Sequence, residues 1–113
     1  MSQELIQNVK NMKLLIQAIT VEGKRSEDLI KAKATSAFEY DMKLAVTMAK
    51  LKLEGNPTTT VEKLAKGEDE VAKALGNKIV GEESLKAHWK RMENLKAQLN
   101  GYQSINRFLD TGV

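Results

Sequence analysis

No cysteine occurs in the 113-residue chain, which excludes disulfides, thiolate metal sites and cysteine nucleophiles. There is one histidine, His88, so a metal centre built from several imidazoles is excluded as well. Proline also occurs once, at Pro57, which leaves long tracts on either side with nothing to interrupt a helix. Aromatic residues make up only 4%. No run approaches the ~20 apolar residues that a membrane span needs. The opening MSQELIQNVK has an early glutamate and no unbroken apolar stretch, so it reads as neither secretory signal nor transit peptide. A cytoplasmic location without membrane contact is the expectation. The glycines at 55, 67, 76 and 81 are too scattered for a phosphate-binding loop, and no cofactor is expected.

What is present is the composition of a helical bundle. Hydrophobic residues are 42% and charged residues 29%, a folded rather than a disordered balance. The net charge of +3 is spread out: nine basic and seven acidic side chains in 1–54, four and four in 55–81, five and four in 82–113. The longest basic runs are the pairs Lys24-Arg25 and Lys90-Arg91. Such a surface reads as a solvated, ion-paired helical face, with a phosphate-binding role for those four residues as the alternative.

The dominant feature is the stretch from Gln3 to Glu54. Leu5, Val9, Met12, Ile16, Ile19, Gly23, Ser26, Ile30, Lys33, Ala37, Tyr40, Leu44, Thr47 and Leu51 recur at alternating steps of four and three, a seam of period 3.5. Gly23 lies on that seam, and Ser26 before Glu27 and Asp28 offers a cap for a new helix start. Residues 23–26 are therefore the one candidate break, and the unslipped phase favours continuity. Gly55-Asn56-Pro57 is an explicit stop, with Gly55 expected in a left-handed conformation. Thr59 and Glu62 have capping-box spacing, which predicts a short helix over 60–66. Gly76-Asn77 and Gly81 read as further interruptions. A returning helix is then expected over 82–110, with Leu85, His88, Met92, Leu95, Leu99, Tyr102, Asn106 and Leu109 on its seam. The chain is thus read as one helical domain: a long helix over 3–54, a helical cap over 55–81 and the returning helix.

Few residues invite a chemical reading. Ser84 precedes His88 by one turn, the spacing of a Ser–His pair, but no orienting acid or oxyanion hole is visible, and His88 is expected to pack at the seam edge. Glu68-Asp69-Glu70 lacks the alternation of a calcium loop and reads as acids at a helix start. Trp89 beside Lys90 and Arg91 is expected to be buried in the bundle, and the methionines at 12, 42, 48 and 92 to fill its core. No catalytic or metal-binding residue is expected, nor an enzyme.

Ala32-Lys33-Ala34, Phe38-Glu39-Tyr40-Asp41, Lys43-Leu44-Ala45, Leu51-Lys52-Leu53-Glu54-Gly55-Asn56-Pro57-Thr58 and Leu64-Ala65-Lys66-Gly67 together resemble short all-helical proteins encoded by phages and prophages of Gram-positive bacteria. The resemblance covers roughly residues 30–100 and implies a long alanine- and lysine-rich helix, a glycine–proline turn and a helix returning along it. It implies no activity and no functional residues.

The expected fold is all-α: a long antiparallel helical hairpin with a short helical cap between its two long helices. A returning helix that starts at Glu82 would reach back only to about Ser26, since both helices rise equally per residue. Residues 3–22 would then be uncovered, with Leu5, Val9, Met12, Ile16 and Ile19 as the candidate partner-binding residues. Either a break near 23–26 folds them back or a second chain covers them, and the continuous phase favours a homodimer. The function expected is that of a non-enzymatic interaction protein, a phage accessory or host-modulating factor acting on an unidentified protein. A nucleic-acid-binding accessory of replication or recombination, through Lys24, Arg25, Lys90 and Arg91, is the alternative.

Overall fold

A computed structural model describes residues 2–111. Four helices follow one another: α1 (Gln3–Gly23), α2 (Ser26–Leu53), α3 (Thr58–Lys66) and α4 (Asp69–Thr111). Among the described residues there is no strand, and no helix is long and apolar enough to cross a membrane. The all-α class, with long antiparallel helices and a short helix between them, is as expected.

Local chemistry accounts for each start and stop. Ser2 caps α1, its hydroxyl accepting from the Leu5 amide at 3.0 Å. The candidate break near Gly23 is only a tightened turn. Lys24 stays in the right-handed helical region and Arg25 donates to the Glu22 carbonyl at 3.1 Å, after which α2 begins. At the end of α2, Gly55 has φ +94. The Asn56 amide donates to the Leu51 carbonyl at 3.2 Å and the Gly55 amide to that of Lys52 at 3.0 Å, a Schellman closure. Helix α3 opens on Pro57, which has no side-chain cap, and Glu62 pairs with Lys66 at 3.0 Å instead of closing a capping box with Thr59. Glu68 precedes α4 and its carbonyl accepts the Ala72 amide at 2.9 Å, so Asp69 and Glu70 occupy the positive end of the helix.

The returning helix therefore begins at Asp69 rather than Glu82, and 43 residues run without interruption through Gly76, Asn77 and Gly81. Gly81 is a point of close approach. A Cβ there would meet Ser36 Oγ at 2.8 Å and Lys33 Cα at 3.2 Å, so α4 passes nearly backbone to backbone over α2. At Gly23, which also lies on the seam read from the sequence, an added Cβ would meet only Met92 Cε at 3.8 Å, an ordinary contact.

The chain forms two compact units. One is Asp28–Leu85; the other joins the residues up to Glu27 with those from Lys86 onward. Within Asp28–Leu85, α2 and the first part of α4 are antiparallel, with Gly81 against Ser36 and the Lys78 ammonium 5.1 Å from the Tyr40 ring centre. Its core is apolar: Tyr40 of α2, Val61 and Ala65 of α3, and Val71, Ala74 and Leu85 of α4. Each fully buried valine contributes about 1.5–3 kcal/mol. In the other unit α1 lies antiparallel to the last part of α4, the numbers falling on one helix as they rise on the other. Asn11 Nδ2 donates to the Tyr102 hydroxyl at 3.4 Å and Asn106 Nδ2 to Met12 Sδ at 3.1 Å. Its fully or nearly buried residues are polar, Asn8 and His88. Polar residues on a seam specify register at some expense in stability.

The earlier start of α4 removes the reason for expecting residues 3–22 to be uncovered. Leu5, Met12 and Ile19 are half-buried within their own unit, whereas Val9 and Ile16 are exposed.

Alanine substitution should separate the glycines of α4. Gly76 and Gly101 face open space, so Gly76→Ala and Gly101→Ala should each stabilise by about 0.5–1 kcal/mol through helix propensity. Gly81→Ala should lower the melting temperature despite the same propensity gain, because its Cβ meets the backbone of α2. Thermal unfolding followed by circular dichroism reads both signs.

Candidate functional site

Two features of the surface and core hold chemistry beyond packing. The first is built on His88, which is fully buried. Its Nδ1 lies 2.8 Å from Glu22 Oε1 and its Nε2 lies 2.7 Å from Ser26 Oγ. Glu22 and Ser26 are one helical turn apart, so the last turn of α1 and the first of α2 present both groups to one ring. A carboxylate only accepts, so Nδ1 carries the proton facing Glu22. A neutral ring then accepts the Ser26 hydroxyl at Nε2. Both ring nitrogens are satisfied, as a buried imidazole requires.

Glu22 serves more than the histidine. Arg91 Nε donates to its Oε1 at 2.9 Å, and the Arg25 guanidinium lies 3.2 Å from the same oxygen. The His88 hydrogen bond, then that of Arg91, lowers the carboxyl from its ordinary 4.5 to about 2.

Serine, imidazole and carboxylate are connected here in the order of a hydrolytic triad. The partner of His88 is thus Ser26 rather than Ser84, and Glu22 is the orienting acid that the sequence did not reveal. A triad also needs a reachable hydroxyl beside donors for an oxyanion. His88 is closed over, and the clefts of this surface lie elsewhere: one of about 520 Å³ is lined by Val46, Thr47, Lys50, Leu51, Glu54, Glu68, Asp69 and Glu70. The Glu22–His88–Ser26 group fastens α1 and the start of α2 to α4. Among the described residues no cluster of His, Cys, Asp and Glu could hold a metal ion.

The four basic residues of the nucleic-acid alternative are not a free patch. Arg25 and Arg91 converge on Glu22, which offsets part of their charge, while Lys24 and Lys90 are exposed. Trp89 is not packed away as expected. It is 47% exposed, with its ring centre 4.8 Å from that of His88.

The second feature is the outer face of α2. Its inner face carries Tyr40, Leu44, Thr47, Met48 and Leu51, buried or half-buried. On the opposite side Phe38, Met42, Ala45, Ala49 and Leu53 follow one another at steps of four and three, with Val46 beside them, and all are exposed. Phe38 is 64%, Val46 61% and Leu53 90% exposed. Met42 therefore lies on this outer face and not in the core. Sequence reading found the inner seam and missed the outer one. The signal was present, since two apolar rows at helical spacing run along one helix, but stripes on both sides look like uniform hydrophobicity. No family model matches the chain, and no curated protein or solved structure is detectably similar to it.

Acid should expose the weight of Glu22. A carboxyl whose folded value lies below its unfolded one contributes stability that is complete above about pH 4.5 and disappears as the pH falls toward 2. Urea unfolding across that window should show wild-type stability falling more steeply than that of Glu22→Gln, whose amide keeps an acceptor but does not titrate. Parallel pH profiles of the two proteins would show that Glu22 is not the group involved.

Proposed function

We propose that this chain is a helical protein–protein interaction module that acts by binding rather than by catalysis, through the outer face of α2. The observation that carries this reading is the continuous exposed row Phe38, Met42, Ala45, Ala49 and Leu53 on a helix whose opposite face is already occupied. Scattered apolar residues on a surface need no explanation, but a row at helical spacing from Phe38 to Leu53 is the form in which one helix recognises another. The closed-over imidazole supports binding over hydrolysis. A phage accessory or host-modulating factor is the kind of module we read here, in keeping with the resemblance of residues 30–100 to short helical proteins of phages and prophages. The pairing of both arginines with Glu22 gives the nucleic-acid alternative no support.

Phe38→Ser/Leu53→Ser tests the reading. Both side chains are exposed, so unfolding free energy should change by no more than about 0.5 kcal/mol. Affinity capture on the immobilised wild-type chain, compared with the double variant, should lose its specific partners. Equal capture by both would place the binding surface elsewhere.

A further inference from the structure

The two compact units are held together by different means. Among the described residues every buried apolar side chain lies in Asp28–Leu85, where α2, α3 and the first part of α4 enclose Val61, Ala65, Val71 and Ala74 between them. The other unit has only two helices and buries only Asn8 and His88. Its apolar seam, with Leu5, Leu15 and Ile19 on α1 and Leu95 and Leu99 on α4, stays half-buried. Polar contacts make up part of the difference, and they do so unevenly. Near Gly23 the Glu22 carboxylate accepts from His88 Nδ1 at 2.8 Å and from Arg91 Nε at 2.9 Å, short bonds to an ionised group. Toward Gln3 the links are weaker. Asn11 Nδ2 reaches the Tyr102 hydroxyl only at 3.4 Å, Asn106 Nδ2 finds the Met12 thioether, a poor acceptor, and Asn106 Oδ1 is buried without a hydrogen-bond partner.

We infer that α1 is a releasable strap: it comes away from the last part of α4 while Asp28–Leu85 stays folded, and Glu22, through His88 and Arg91, is the latch that holds it. A helix of 21 residues draws most of its stability from the face it packs, so release and unwinding of α1 go together. The apolar core of Asp28–Leu85 contains no residue of α1 and survives that step. Release uncovers the α4 seam from Met92 to Leu109, which the closed strap withholds from other contacts. The inference is independent of what the outer face of α2 binds.

Native-state hydrogen exchange, read residue by residue by NMR in urea below the unfolding midpoint, tests it. Helix-interior amides of α1, at Met12, Leu15 and Ile19, should be protected about 100-fold less than those at Tyr40, Ala65 and Ala74. Val61→Ala should lower protection of the second set by about tenfold or more and leave the first unchanged, because the open state keeps the core that the substitution weakens. Glu22→Ala should lower protection of the first set by about tenfold or more, since it takes the acceptor from His88 and Arg91. Equal protection of both sets in the wild type, or a fall of both in Val61→Ala, shows that the chain opens as one unit and overturns the strap. Unchanged protection of α1 in Glu22→Ala overturns the latch.

Discussion

Every other helix in this chain depends on the unbroken seam of α4. From Val71 through Ala74, Lys78, Gly81, Leu85, His88, Met92, Leu95, Leu99, Tyr102 and Asn106 to Leu109, steps of three and four alternate without slipping, and every one of these residues is buried or half-buried. A 3.5-residue period keeps one face of a helix toward its partner along its whole length. The seam changes character along the way. Its first part meets α2 and α3 with valine, alanine and leucine, and fixes them by excluding water. Its last part meets α1 with tyrosine, asparagine and histidine, and fixes register through hydrogen bonds that only one alignment satisfies.

The Glu22–His88–Ser26 group shows how little the identity of chemical groups says about function without their surroundings. The same connectivity drives acyl transfer when the hydroxyl opens on a cleft with donors for the developing charge. Here the ring is sealed and the carboxylate is also held by two arginines. The outcome is a polar fastening with a dependence on pH. Taking away Glu22 or Ser26 leaves one nitrogen of the fully buried His88 ring without its partner.

Helix α2 carries the opposite problem. Tyr40 and Leu44 are covered within their unit, and Phe38 and Leu53 on the other side are not. Its second apolar face stays exposed along the row from Phe38 to Leu53.

The sequence alone determined whatever depends on a few adjacent residues or on one helical repeat. The stop at Gly55-Asn56-Pro57 was legible because no other residue accepts a positive φ so easily, and the acids from Glu68 to Glu70 because they suit a helix start. The seam from Leu85 to Leu109 was legible from its period, and carried backward through Gly81, Lys78, Ala74 and Val71 the same period marks one continuous helix. The glycines at 76 and 81 concealed that, since a glycine weakens a helix in isolation and only a neighbouring backbone makes it an asset. Tertiary structure decided the rest. His88 found its partners 62 and 66 residues away, at a separation no local pattern encodes. Trp89 lies one residue off the seam and turns outward, although its place beside the seam argued for burial. The length of α4 decided which half of the chain is covered and which face is left bare, because covering α1 or α2 requires a helix long enough to lie beside it.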